Sequence, residues 1–185
     1  NDSDETREKG SILKGLAPLL LIFLAFGAFC GLCLSPLFPR LVLSNFKTGE
    51  TLLLLPIERG ETFRIRFTHS LNLSDVTDAV EWTGKELVCR STLFSSYGAG
   101  IPDLPDGIGT TLTQTGEGFL LSGIDKPETH IDIMLQTVPR HRLLYRDREI
   151  DLLEKYGSGT LLRLEVRRIS VLELVSREGR MAAAY

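Results

Sequence analysis

The chain has 185 residues and a net formal charge of -3, which suits one domain with appendages. Nucleic acid is argued against as a partner, because neutralising phosphates needs a surplus of Lys and Arg. Of the three cysteines, Cys30 and Cys33 lie in an apolar segment and Cys89 stands alone beyond it, so the later part of the chain holds no internal disulfide.

Residues 1–11 read as a short polar tail. Gly15–Leu34 then runs for twenty residues without a charge, roughly 30 Å as a helix and the thickness of a bilayer core. Lys14 closes the run on one side, and Ser35-Pro36 and Pro39-Arg40 close it on the other. Pro18 falls in the first turn, where a missing N–H costs little. The pattern predicts a single transmembrane helix within residues 12–38. A cleaved signal peptide is the competing reading, but the run exceeds the roughly 7–15 residues of a signal core and its small-residue cleavage sites are poor. Cys30-Gly-Leu-Cys33 lies inside this segment without charged or His neighbours, and reads as two small polarizable residues. Arg7, Lys9 and Lys14 before the helix, against Arg40 and Lys47 after it, favour an inside N-terminus and, in a bacterium, a periplasmic domain. Gly27 and Gly31 form a small-xxx-small pair that either admits a partner helix or faces lipid by chance.

Residues 39–175 read as a soluble β-domain, and 176–185 as a flexible C-terminal tail. Alternation predicts strands at Leu41–Asn45, Thr51–Ile57, Phe63–Phe67, Val76–Thr83, Leu87–Phe94, Gly118–Ser122, Ile131–Leu135, Arg142–Arg146 and Leu162–Val166. Gly-containing turns separate them. A short helix is expected over Glu149–Tyr156, ended by Gly157, and the Gly- and Pro-rich stretch Gly98–Thr113 reads as a long loop. The fold class is therefore mainly β: one N-terminal transmembrane helix, then an antiparallel β-sandwich or small β-barrel.

The most distinctive local sequence is Phe67-Thr68-His69-Ser70 with Glu81 on the next strand. Acyl transfer by His69, Ser70 and Glu81 fits poorly, since adjacent strand residues point to opposite faces and no nucleophile elbow is present. A His69–Glu81 hydrogen bond tying two strands together is the favoured reading. His69, His130 and His141 lack metal-ligand spacing, and Gly98-Ala99-Gly100 is followed by Ile-Pro-Asp rather than a helix start. Arg140, His141, Arg142, Arg146 and Arg148 form a basic cluster. Its readings are an anionic ligand, lipid headgroups or an acidic partner on one hand, and solvated strand-edge charges on the other. No catalytic set, cofactor or metal is expected.

The order Phe67-Thr68-His69-Ser70, then Glu81, then Thr92-Leu93-Phe94-Ser95-Ser96-Tyr97-Gly98-Ala99-Gly100-Ile101-Pro102 resembles the bacterial domain-of-unknown-function family eighteen-fifty. The resemblance spans roughly residues 40 to 145. It departs mildly, with Ile101 where Leu is usual and Tyr97 before the first Gly. It marks His69, Ser70, Glu81, Gly98, Gly100 and Pro102 as family-motif positions for structure or partner contact. Members accompany the membrane subunit of TAXI-type TRAP transporters, which are ion-coupled, binding-protein-dependent uptake systems. The resemblance therefore implies an accessory small subunit, with its helix packed on the large transport subunit in the inner membrane. Its β-domain would stand at the periplasmic face, in reach of a substrate-binding protein. A tethered enzyme or a ligand-binding β-domain centred on His69 and Glu81 is the alternative.

Overall fold

The computed structural model describes residues 2–71, 73–95 and 109–182, with side chains from 18 to 176 within those ranges. Two compact units divide the chain: Pro39–Arg167, and Asn1–Phe38 together with Arg168–Tyr185.

In the second of these lie helix α1 (Asp2–Leu34) and helix α3 (Val171–Ala182). The apolar segment is helical as expected. Among the described residues, however, no helix is long and apolar enough to cross a membrane; the expected span starts at Gly15, and the side chains of 15–17 lie outside the described ones. Helix α3 runs across residue 176, the expected start of the C-terminal tail. Its start carries a signal that was readable: Ser170 Oγ accepts from Glu173 N at 3.1 Å, in a Ser-x-x-Glu capping pattern.

The unit Pro39–Arg167 is built from β1 (Phe38–Asn45), β2 (Thr51–Pro56), β3 (Thr62–Thr68), β4 (Asp75–Trp82), β5 (Leu87–Phe94), β6 (Thr111–Thr115), β7 (Gly118–Glu128), β8 (His130–Met134), β9 (Arg142–Tyr145), β10 (Arg148–Asp151), α2 (Leu152–Tyr156) and β11 (Leu161–Ile169). Every expected strand is present. Strands β6 and β10 were not expected, and α2 begins three residues after the predicted start because Asp151 caps it, accepting from Glu154 N at 3.0 Å.

Two antiparallel sheets result, in the orders β2-β1-β11-β8 and β10-β9-β3-β4-β5-β7-β6. Their inner faces share one core. Leu41, Leu43, Leu162 and Leu164 of the smaller sheet meet Phe63, Ile65, Val80 and Leu143 of the larger. This is the sandwich rather than the barrel. A separate, smaller cluster of Val76, Phe94 and Leu121 lies farther along the larger sheet.

Candidate functional site

Strand β4 explains why there are two clusters and not one. Its inward row is Val76, Asp78, Val80 and Trp82, by the period-two rule. Val80 and Trp82 belong to the main core and Val76 to the smaller cluster. Asp78 interrupts the row between them. A carboxyl at a core-facing position is the informative kind of observation, since carboxyls avoid apolar surroundings unless held there.

Next to Asp78 the two sheets leave a cleft of about 750 Å³, open to solvent. Its walls come from β3, β4, β5 and β7 of the larger sheet and β8 of the smaller. Most of the lining is apolar, with Phe67, Val76, Phe94, Ile124 and Ile131 contributing. Opposite Asp78 in the β4–β5 register is Thr92, whose hydroxyl donates to Asp78 Oδ1 at 2.7 Å. Burial raises the Asp78 pKa above its ordinary value, and the Thr92 hydrogen bond opposes that shift only in part. Cys89 shares the cleft, and burial, then the nearby Asp78, push its thiol up. That shift disfavours the thiolate, the nucleophilic form of a cysteine.

A bulge shapes the wall. Along β5 and β7 the register passes from Cys89↔Lys126 to Ser91↔Ser122, and along β4 and β5 from Val80↔Cys89 to Ala79↔Ser91. Arg90 is the residue left over on β5. Its guanidinium reaches Glu81 at 2.8 Å and Asp125 at 2.5 Å. The extra residues on β7 bend that strand, and Ile124 and Lys126 both line the cleft. Asp125 adopts a left-handed φ of 48° there, a conformation Asp tolerates better than most residues.

The sequence-predicted positions fall as follows. His69 lines the cleft; its Nδ1 accepts from Leu71 N at 3.4 Å. Ser70 is exposed beside it. Glu81 pairs in register with Thr62 at the other end of the β3–β4 ladder, so the expected His69–Glu81 bond is corrected: Glu81 holds the Arg90 bulge instead. The same separation removes a shared His69–Ser70–Glu81 site. Gly98, Gly100 and Pro102 lie outside the described residues. Gly27 and Gly31 are exposed on α1, and a Cβ added at either would meet nothing within 4 Å.

The basic cluster is an ion-pair network. Arg140 meets Asp151 at 2.8 Å, Arg142 meets Glu149 at 2.9 Å, and Arg146 meets Glu61 at 2.6 Å. Three of its charges are thus neutralised by strand neighbours. His69 and His130 both line the cleft, and among the described residues no group of three or more His, Cys, Asp and Glu could hold a metal. Asp78 escaped sequence reading, although the alternation Val76-x-Asp78-x-Val80 was signal enough to place it inward.

His141 is a half-buried histidine in this sandwich. Its ring stacks on Phe67 with centroids 5.3 Å apart, and among the described residues its Nδ1 has no hydrogen-bond partner. Burial lowers its pKa from 6.5. A lowered folded pKa gives stability that is complete above the unfolded value and lost as pH falls through the folded one. Melting temperature should therefore drop between about pH 7 and pH 5, and His141→Phe should remove part of that drop. Parallel pH profiles for the two proteins would refute this role. The acids Asp132 and Asp151 act at lower pH: hydrogen bonds from Arg163, and from the Glu154 amide, hold their pKa values below 3.8.

Residues 63–152 match the family model described as Domain of unknown function (DUF1850). No curated protein and no solved structure matches the chain.

Proposed function

We propose that this chain, whose residues 63–152 belong to the DUF1850 family, is a non-catalytic accessory subunit of a TAXI-type TRAP uptake transporter. Gly15–Leu34 anchors it in the bacterial inner membrane, with the β-sandwich on the periplasmic side. The observation that carries the reading is α1 itself. Over the described side chains from residue 18 to 34 it exposes many large apolar groups, with Leu19, Phe23 and Leu34 at 62%, 73% and 61%. An exposed apolar surface that continuous calls for lipid or another apolar helix. The uncharged stretch of twenty residues suits lipid. Gly27 and Gly31, with open space over both, let a helix of the large transport subunit approach backbone to backbone. The transporter association that the resemblance implies would name that subunit, and the sandwich would stabilise it or help dock the substrate-binding protein.

Extraction of the full-length chain from its native membrane in mild detergent, with mass spectrometry of the co-eluting proteins, tests the assembly. A large membrane subunit at fixed stoichiometry is expected, and Gly27→Ile with Gly31→Ile should release it. A lone monomer or self-oligomer, under conditions that keep other membrane complexes whole, overturns the reading.

A second reading, a tethered ligand-binding β-domain, is favoured by one feature: the cleft. It centres on Asp78 and His69 rather than on His69 and Glu81.

A further inference from the structure

We propose that the inter-sheet cleft is a binding site for organic cations: a protonated amine on an apolar body, with its ammonium group against the Asp78 carboxylate. At about 750 Å³ the cleft falls within the range of small-molecule sites, roughly 300–1,000 Å³.

Asp78 does little for the fold. Thr92 gives it one hydrogen bond, and among the described residues it has no ion-pair partner. An apolar residue there would join Val76 and Val80 into one continuous core row. A carboxyl that splits the core and faces a cavity is better explained by what enters the cavity. An incoming ammonium offsets the desolvation of the carboxylate, and so returns the cost of placing it there.

The lysine and the other carboxylates of the lining are already matched. Lys126 Nζ lies 2.8 Å from Glu128 Oε1. Asp132 takes a two-pronged contact from Arg163 at 2.8 and 2.9 Å, with His130 Nε2 3.6 Å from its Oδ2. An anionic ligand would thus meet Asp78 with no unmatched lysine or arginine among the described lining residues to hold it. A cationic ligand meets an unpaired carboxyl, and the Phe67 and Phe94 rings that line the same space favour cations on their faces. Apolar walls with one charged anchor select an amine on a hydrophobic body over a small hydrated cation.

This inference is independent of the transporter reading, and its test uses the isolated full chain. Hexylamine, phenethylamine and tryptamine are titrated into protein held in lipid nanodiscs, with empty nanodiscs as the blank and indole-3-propionate as the anionic counterpart of tryptamine. At least one amine should bind with a Kd of about 1 mM or tighter, and indole-3-propionate at least about tenfold more weakly than tryptamine. Asp78→Asn should weaken amine binding by at least about tenfold. Ile124→Trp, which fills the cleft from a half-buried position on β7, should abolish it, and decides the matter if Asp78→Asn fails to fold. The proposal is overturned if no amine binds, if indole-3-propionate binds as well as tryptamine, or if both variants bind amines unchanged. Failure here leaves the co-elution result standing, and a lone monomer there leaves this titration standing.

Discussion

Phe63→Ala should destabilise the β-sandwich by about 3–5 kcal/mol, the usual cost of removing a buried aromatic ring. Phe63 is 1% exposed and sits in the main core cluster, opposite Val80 in the β3–β4 register. Both sheets contribute to that cluster, with Leu41 and Leu162 from the smaller one. Removing the ring therefore loosens the contact between sheets rather than a single hairpin. β3 is also central in the larger sheet, paired on one side with β4 and on the other with β9, so little backbone can collapse into the vacancy. Urea denaturation of the full chain, followed by far-ultraviolet circular dichroism, measures the loss. A change under about 1 kcal/mol would place Phe63 outside the well-packed part of a core, and with it the view that the sheets share one.

The second large effect is expected at Gly118. Its φ is +136°, and an added Cβ would run into the Phe94 carbonyl and lie 3.0 Å from Ser95 Cα. Both obstacles are backbone of the neighbouring strand, paired here as Phe94↔Phe119. Neither can swing aside as a side chain would. Gly118→Ala should cost at least about 2–3 kcal/mol through strain and broken pairing. Gly60→Ala is the control: its φ is +85° but nothing lies within 4 Å of the added carbon, so only the backbone penalty of about 1–2 kcal/mol applies. Equal denaturation midpoints for the two variants would show that the close approach at β5–β7 is not the limiting feature.

These positions also show how far the sequence reaches. The strands were legible wherever one face packs on the core: Phe63-x-Ile65-x-Phe67 and Leu162-x-Leu164-x-Val166 announce both their period and their buried side. Strand β6 was not, because Thr111-Leu112-Thr113-Gln114-Thr115 has only one apolar residue and stays mostly exposed. It is held by hydrogen bonds to β7, which leave no mark on hydropathy. Helix α3 was hidden by Gly179 and by the charges in its sequence, although its Ser170–Glu173 start is conventional. The cleft was legible only in part. His69 was singled out, but alternation alone could not say that Asp78 faces a cavity, because that depends on where the smaller sheet ends. Glu81 was read as a partner for His69, yet β4 carries it the length of a strand away. The bulge that gives it Arg90 is a register irregularity with no composition of its own.

The place of β11 in the smaller sheet has a consequence for how the molecule comes into being. It is the last of the described strands, yet it lies inside its sheet, between β1 and β8. The first strand therefore waits for a neighbour more than a hundred residues downstream, and β2-β1 stands as an isolated hairpin until then. Such a hairpin is marginal in water. On a ribosome or a translocation channel, the larger sheet can assemble strand by strand, but the sandwich cannot close until β11 is delivered. Closing loops of that length is slow, and in the interval the inner faces of both halves are bare and prone to association.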